Sequence, residues 1–332
     1  MVLHNPHTRR GPRFPLCLIA AIGLLLCSSL VPAQEVQPDD VIRVRTDLVA
    51  VPVTVTDSRG RRISDLKQED FVLTDDGRSA KIDYFASGAE RIALAFVLDN
   101  SGSLREQLSR QRDAAIGLFS RFGPGSSVAV IRFGQQARLL APFTRDKDSA
   151  RAAFSVPVNL SALSERTAIF DAASTAVQAY TSRGENSTER RIVILISDGL
   201  DTASSSSAAQ VITAANRMNV SFYVIQLPLF TPSDGRLVPR PAAKGFRDLA
   251  DRTGGKFFVA GTARSALDPN AVVDLAPVFA AIEEDLRSQY VIGFYPGDAS
   301  RDGQTHRAAI TVSNRKLKVR QLRTSYSLKP GI

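Results

Sequence analysis

The run Asp99-Asn100-Ser101-Gly102-Ser103 sets one carboxylate and two hydroxyls on alternate residues, directly behind the apolar stretch Ile92 to Leu98. Oxygens spaced in this way can turn toward one point, and a hard divalent cation wants an array of oxygen ligands while keeping some of its waters. Two further donors stand at comparable places. Thr167 lies in Glu165-Arg166-Thr167-Ala168-Ile169 at the mouth of a helical stretch, and Asp198 in Ile196-Ser197-Asp198-Gly199 at the end of an apolar one. Each piece alone has a plainer reading, since Asp, Ser and Thr cap helices and Asp-Gly is a common turn. Together and in this order, Asp99, Ser101, Ser103, Thr167 and Asp198 form a candidate set for Mg²⁺, with Mn²⁺ or Ca²⁺ as alternatives. Asp201 is open between the rim of that set and a solvated loop.

The elements that must position these residues follow from periodicity. From Arg91 onward, short β-branched apolar runs alternate with apolar residues at three- and four-residue spacing. Strands are expected over Ile92 to Leu98, Ser127 to Phe133, Arg191 to Ser197, Val220 to Leu227 and Lys256 to Ala260. Helices are expected over Leu104 to Phe122, Thr167 to Tyr180, Ala208 to Met218 and Ala243 to Thr253. This order predicts an α/β fold with a doubly wound, mainly parallel sheet, whose ligands bind beyond the carboxyl ends of the strands. Asp99 and Asp198 fall at such ends.

The flanks read differently. Val49, Val51, Val53 and Val55 alternate up to the turn Asp57-Ser58-Arg59-Gly60, Phe71 to Leu73 runs into Asp75-Asp76-Gly77, and Ile82 to Phe85 is a further strand. After a helix over Leu275 to Arg287, strand patterns return at Tyr290 to Tyr295, Arg307 to Val312 and Leu317 to Ser327. The expected organisation is a leader over 1–33, an N-terminal β segment over 41–89, the α/β domain over 91–263, and a C-terminal helix with strands over 275–328. That last segment is expected to pack with the N-terminal β segment as a small flanking β domain.

With order and motif together, roughly Arg91 to Ala263 resembles the von Willebrand factor type A domains and their metal-ion-dependent adhesion site. The resemblance implies a Rossmann-like fold in which the Ser101 and Ser103 hydroxyls bind the cation directly. Thr167 would bind directly or through water, and Asp99 and Asp198 through coordinated water. It also implies an open position for the Asp or Glu of a protein ligand. Many such domains place glycines where Glu165 and Arg166 precede the threonine here, and Arg166 beside the cation would favour an acidic ligand. Val53-Thr54-Val55-Thr56-Asp57 and Asp75-Asp76-Gly77 before the domain, with Asp285-Leu286-Arg287-Ser288-Gln289-Tyr290 after it, are similar to a secreted bacterial subgroup of the family, known mostly from acidobacteria.

Composition narrows the function classes. At 332 residues, 44% apolar and 23% charged, the chain reads as globular and long enough for two domains. Arg9, Arg10 and Arg13 precede an apolar run from Phe14 to Val31 that ends in Val31-Pro32-Ala33, the pattern of a secretory signal. A secreted or periplasmic protein is expected, and an uncleaved anchor is its only expected membrane contact. Cys17 and Cys27 lie inside the leader, so the remainder has no thiol, and without it the net charge falls from +9 to +6. Basic residues over Arg315 to Arg323 alternate with Leu317, Val319 and Leu322, as in a strand with one solvated face. No aromatic platform accompanies them, so nucleic acid is not an expected partner.

Enzyme readings fail on the residues. A phosphotransferase of the haloacid dehalogenase type needs a second aspartate where Ser101 stands, and Gly-x-Ser-x-Gly is missing. His306, the only histidine after the leader, reads as an exposed turn residue. The expectation is therefore a metal-dependent protein-binding module of the adhesion or interaction kind, not an enzyme. The alternative is an envelope scaffold acting through its β domain without metal.

Overall fold

The computed structural model describes residues 48–88, 91–100, 111–155, 166–183, 189–267, 273–321 and 324–328. The expected leader, Ser101, Ser103 and Glu165 lie outside the described residues. Among those described, no helix is long and apolar enough to cross a membrane.

In chain order the first strands are β1 (Val49–Thr56), β2 (Phe71–Asp75), β3 (Arg78–Ala80), β4 (Tyr84–Ser87) and β5 (Ile92–Asp99). Then come α1 (Arg112–Ser120), β6 (Ser127–Phe133), β7 (Ala137–Thr144), α2 (Lys147–Ser155), α3 (Ile169–Gln178) and β8 (Arg190–Ser197). They are followed by α4 (Ala208–Arg217), β9 (Val220–Gln226), the pair β10 (Phe230–Ser233) and β11 (Arg236–Pro239), and α5 (Phe246–Asp251). The chain closes with β12 (Phe257–Val259), α6 (Ala263–Leu267), α7 (Ala276–Arg287), β13 (Gln289–Phe294), β14 (His306–Val312), β15 (Lys318–Gln321) and β16 (Ser325–Tyr326).

Six strands form the central sheet in the order β12-β9-β8-β5-β6-β7, parallel except for the antiparallel edge strand β7. The near-continuous apolar runs of β5, β6, β8 and β9 are explained by burial on both faces. Ile92, Leu94, Phe96 and Leu98 point to one side, where α1, α2 and α7 pack. Ala93, Ala95 and Val97 point to the other, where α3, α4 and α5 pack. The small alanines on that second face let Tyr180 lie close enough for its hydroxyl to donate to the carbonyls of Ala93 and Ile192, at 2.9 and 2.7 Å.

The terminal strands interleave in two four-stranded sheets, β15-β1-β13-β4 and β16-β14-β2-β3. Their inner faces share one core containing Val49, Val51, Val53 and Val55 with Phe71, Leu73, Ile292 and Ile310. The Asp75-Asp76-Gly77 turn joins β2 to β3, with Asp76 and Gly77 at φ 47° and 79°, the left-handed pair that a two-residue hairpin demands.

Several expectations are corrected. The apolar face of α7 (Phe279, Ile282, Leu286) packs on the central sheet rather than with the terminal strands, because those three residues face Ile92 and Phe96. The strand expected over Leu317 to Ser327 is two strands in different sheets: β15 pairs with β1 and β16 with β14. His306 is not an exposed turn residue. It opens β14 with only 12% of its side chain exposed, its ring held between Asp76 (2.8 Å) and Asp302 (3.0 Å) and stacked on Tyr326.

Candidate metal centre

Asp99 is the last residue of β5, and Asp198 follows the last residue of β8. The two strands are parallel neighbours with Leu98 level with Ile196, so both carboxylates emerge at one carboxyl edge. Both are buried, Asp99 at 1% and Asp198 at 7% exposed. Ser197 ties them together: its hydroxyl donates to Asp99 Oδ2 at 2.6 Å and accepts from the Gly199 amide at 3.2 Å. Asp198 Oδ1 accepts from the Leu200 amide at 2.8 Å, and its backbone carbonyl accepts from Gln226 Nε2 at 3.1 Å.

Gly199 shapes the turn that carries Asp198. Its φ is 91°, and a Cβ there would stand 2.8 Å from the Ala242 Cβ and 3.2 Å from the Phe246 ring. Only glycine meets both conditions.

Thr167, 6% exposed, reaches the same edge from a loop two residues ahead of α3. The loop is pinned on both sides. The Ala168 amide donates to the carbonyl of Gly134, just past β6, at 2.8 Å. The Thr167 amide donates to Thr202 Oγ1 at 2.8 Å, while the amides of Thr202 and Ala203 donate back to the Thr167 carbonyl. Asp201, open in the sequence between the rim of the set and a solvated loop, is part of a clamp. Its Oδ1 accepts from the Ile169 amide at 2.7 Å and from the Ser204 hydroxyl at 2.5 Å, satisfying a free amide at the start of α3. Asp171 extends the clamp by accepting from the amides of Ser205 and Ser206, at 2.9 and 2.8 Å.

Three of the five expected residues, Asp99, Thr167 and Asp198, are therefore brought to one edge, while Ser101 and Ser103 lie outside the described residues. Arg166, next to Thr167, is exposed. Asn100 is anchored beside the site by its amide to the Phe133 carbonyl at 2.8 Å and by Arg132 Nη1 at 3.2 Å. Sequence reasoning gave no role to Ser197, Thr202 or Ser204; a hydroxyl beside each acidic residue of the two loops was the available signal.

The donor set suits a hard cation, since every group is oxygen. Burial holds the Asp198 carboxyl above the usual range, against the Leu200 amide and the Arg240 charge, which pull it down. No Lys or Arg among the described residues forms an ion pair with Asp198. A carboxylate so placed gains most from a counter-charge that arrives from solution.

Residues 94–200 match the von Willebrand factor type A domain family. Comparison with curated proteins finds no match. Among solved structures, the chain is similar to an aerotolerance-related membrane protein from Bacteroides fragilis carrying multiple mutations to serines (17% identity over 59% of this chain and 98% of that one, TM-score 0.44). It is also similar to a von Willebrand factor type A protein from Catenulispora acidiphila (13% identity, 85% and 74%, TM-score 0.44). A third is proximal thread matrix protein 1 from the mussel byssus, with a zinc-occupied MIDAS motif (15% identity, 60% and 49%, TM-score 0.46). The family match falls on the two-faced central sheet, so that residues 94–200 match a von Willebrand factor type A domain in sequence and lie in an α/β fold of the kind that match implies.

Proposed function

We propose that the chain is an exported binding module in which Asp99, Ser101, Ser103, Thr167 and Asp198 hold a divalent cation, Mg²⁺ or Mn²⁺, that receives an Asp or Glu side chain of a protein partner. Domains of this family are generally interaction modules rather than enzymes. The observation that carries the reading is the meeting of two buried carboxylates and Thr167 at one sheet edge, braced by Ser197 and by the Asp201 clamp. A cation bound there would supply Lewis-acid attraction for a carboxylate. The hydroxyls of Ser101, Ser103 and Thr167 are neutral, so they leave its charge incompletely compensated. Export rests on the arginine-led apolar leader over 1–33.

The test is a capture experiment with the purified protein in Mg²⁺ and again in EDTA, beside calorimetry with Mg²⁺ and Mn²⁺. Partner binding should vanish with chelator, and Asp99→Ala should abolish the heat of metal binding. A partner held equally well in EDTA would move the function to the terminal β-sheets and favour the scaffold reading. Absence of metal binding in the unaltered protein would end the proposal.

A further inference from the structure

The His306 ring meets a carboxylate at each of its nitrogens: Nδ1 lies 2.8 Å from Asp76 Oδ2, and Nε2 lies 3.0 Å from Asp302 Oδ1. The three residues come from separate places in the chain. Asp76 stands in the turn between β2 and β3, Asp302 in the connection between β13 and β14, and His306 at the start of β14. Tyr326 of β16 covers the ring, stacked on it with centroids 5.4 Å apart, and its hydroxyl donates to the Asp75 carboxylate of β2 at 2.7 Å. Arg78 of β3 is the other cation that acts on Asp76.

Ionised carboxylates only accept, so each contact needs an N–H from the ring. The imidazolium has two such groups, whereas the neutral ring has one donor and one acceptor. Loss of a proton therefore turns a lone pair toward a negative oxygen at one of the two contacts. The contacts are unequal. Asp76 is held independently of the ring, because its Oδ1 accepts from the Arg307 amide at 2.8 Å and its own amide donates to the Arg307 carbonyl at 2.9 Å. Asp302 has the longer contact, and the same Oδ1 otherwise accepts from the Gln304 amide at 2.8 Å, a bond that ties the connection to itself. The proton that remains is better kept on Nδ1, facing Asp76.

We propose that His306 is a proton-operated latch. As imidazolium it holds the β13–β14 connection against the β2–β3 turn, and on losing its Nε2 proton it releases Asp302 and frees residues 301–305, while β14 stays paired with β2. The hydrogen bonds to Asp76 and then Asp302 raise the histidine pKa above its ordinary 6.5. The acids stay ionised in that range, since the bond to His306 lowers the pKa of Asp76, and the Gln304 amide and then His306 lower that of Asp302. Release accordingly comes above pH 6.5 rather than on acidification.

The test follows the full, ¹⁵N-labelled protein by NMR from pH 5.5 to 9. The ring nitrogens of His306 report its charge and tautomer, and the amides of Gly303 and Gln304 report the connection. His306 should titrate above pH 6.5 and keep its neutral proton on Nδ1. Over the same range the order parameters at Gly303 and Gln304 should fall from about 0.85 to below about 0.6, while that of Ile310 in β14 holds. In Asp302→Asn the amide accepts from the imidazolium or, turned over, donates to the neutral nitrogen, so the connection should stay ordered throughout. Asp302→Ala should leave it mobile at every pH. A midpoint at or below 6.5, a neutral ring protonated on Nε2, or order parameters that hold while His306 titrates would overturn the latch. So would an unchanged pH response in either Asp302 variant.

Discussion

Ser197→Ala separates a built metal centre from a chance meeting of polar residues. Ser197 is not in the cation set, yet its hydroxyl gives Asp99 Oδ2 a 2.6 Å bond and takes a 3.2 Å bond from Gly199. Removing the first leaves a carboxylate only 1% exposed with one partner fewer. A hydrogen bond to a charged group is worth about 1.5–3 kcal/mol. The longer bond adds about 0.5 kcal/mol. The expected loss is therefore about 2–3.5 kcal/mol in urea unfolding of the metal-free protein. Because Ser197 also fixes the direction of Asp99, Mn²⁺ affinity should drop about 10- to 100-fold, the usual effect of losing an outer partner of a metal ligand. Unfolding is followed by circular dichroism and affinity by calorimetry. An alanine variant with unchanged Mn²⁺ affinity and an unchanged urea midpoint would refute the claim that Ser197 organises the site.

Other outcomes follow from the same geometry. Gly199→Ala forces a Cβ onto a left-handed backbone and against Ala242; about 2–4 kcal/mol should be lost, with weaker metal binding in the folded fraction. Ala substituted for Asp201 removes the acceptor for the Ile169 amide and the Ser204 hydroxyl, and hydrogen exchange at Ile169 and Phe170 should rise while the central strands stay protected. His306 has its pKa raised by hydrogen bonds to Asp76 and Asp302, whose own pKa values are lowered. Its contribution is complete below the unfolded histidine value of about 6.5 and is lost as pH rises through the folded one, while that of the two acids is lost as pH falls below about 4. The gap in urea midpoint between the parent and a His306→Gln variant should therefore be widest near pH 5.5 and close by pH 9. Finally, Asp285→Asn breaks a buried set of ion pairs, and about 3 kcal/mol should be lost in calorimetric or urea unfolding, the low end for such a change because Arg62 and Lys256 reach solvent.

The parallel strands were legible because burial on both faces imposes β-branched apolar runs, and the strand ends then located Asp99 and Asp198. Edge elements lacked that constraint. In β7 the burial does not alternate, Pro142 interrupts the run, and its pairing with β6 shifts register near Val130, so no period marks it. The helix α2 buries only Ala150, Ala153 and Phe154, among the residues whose side chains are described, a stripe too thin to read against its charged neighbours. The β10–β11 hairpin did carry a signal, Asp234-Gly235 at its turn, masked by Pro232 and Pro239 within the strands. The clamp on Thr167 was invisible for another reason. Asp201 and Ile169 are 32 residues apart and Asp76 and His306 are 230 apart, and no local spacing announces such pairs.

The same long-range logic fixes the junction between the central sheet and the terminal strands. Asp285, 1% exposed, sits near the end of α7 and is reached from four directions. Tyr223 of β9 donates to it at 2.6 Å, Gln289 of β13 at 2.9 Å, Lys256 before β12 pairs at 2.6 Å, and Arg62 after β1 pairs with the same carboxylate. Gln289 in turn accepts from the buried Arg190 of β8. A hydrophobic contact at this place would tolerate sliding. A carboxylate holding donors from separate elements does not, because displacement of α7 takes the buried Asp285 charge away from its partners. The terminal strands are thus fastened to the α/β domain through the polar side chains of Asp285 and Gln289.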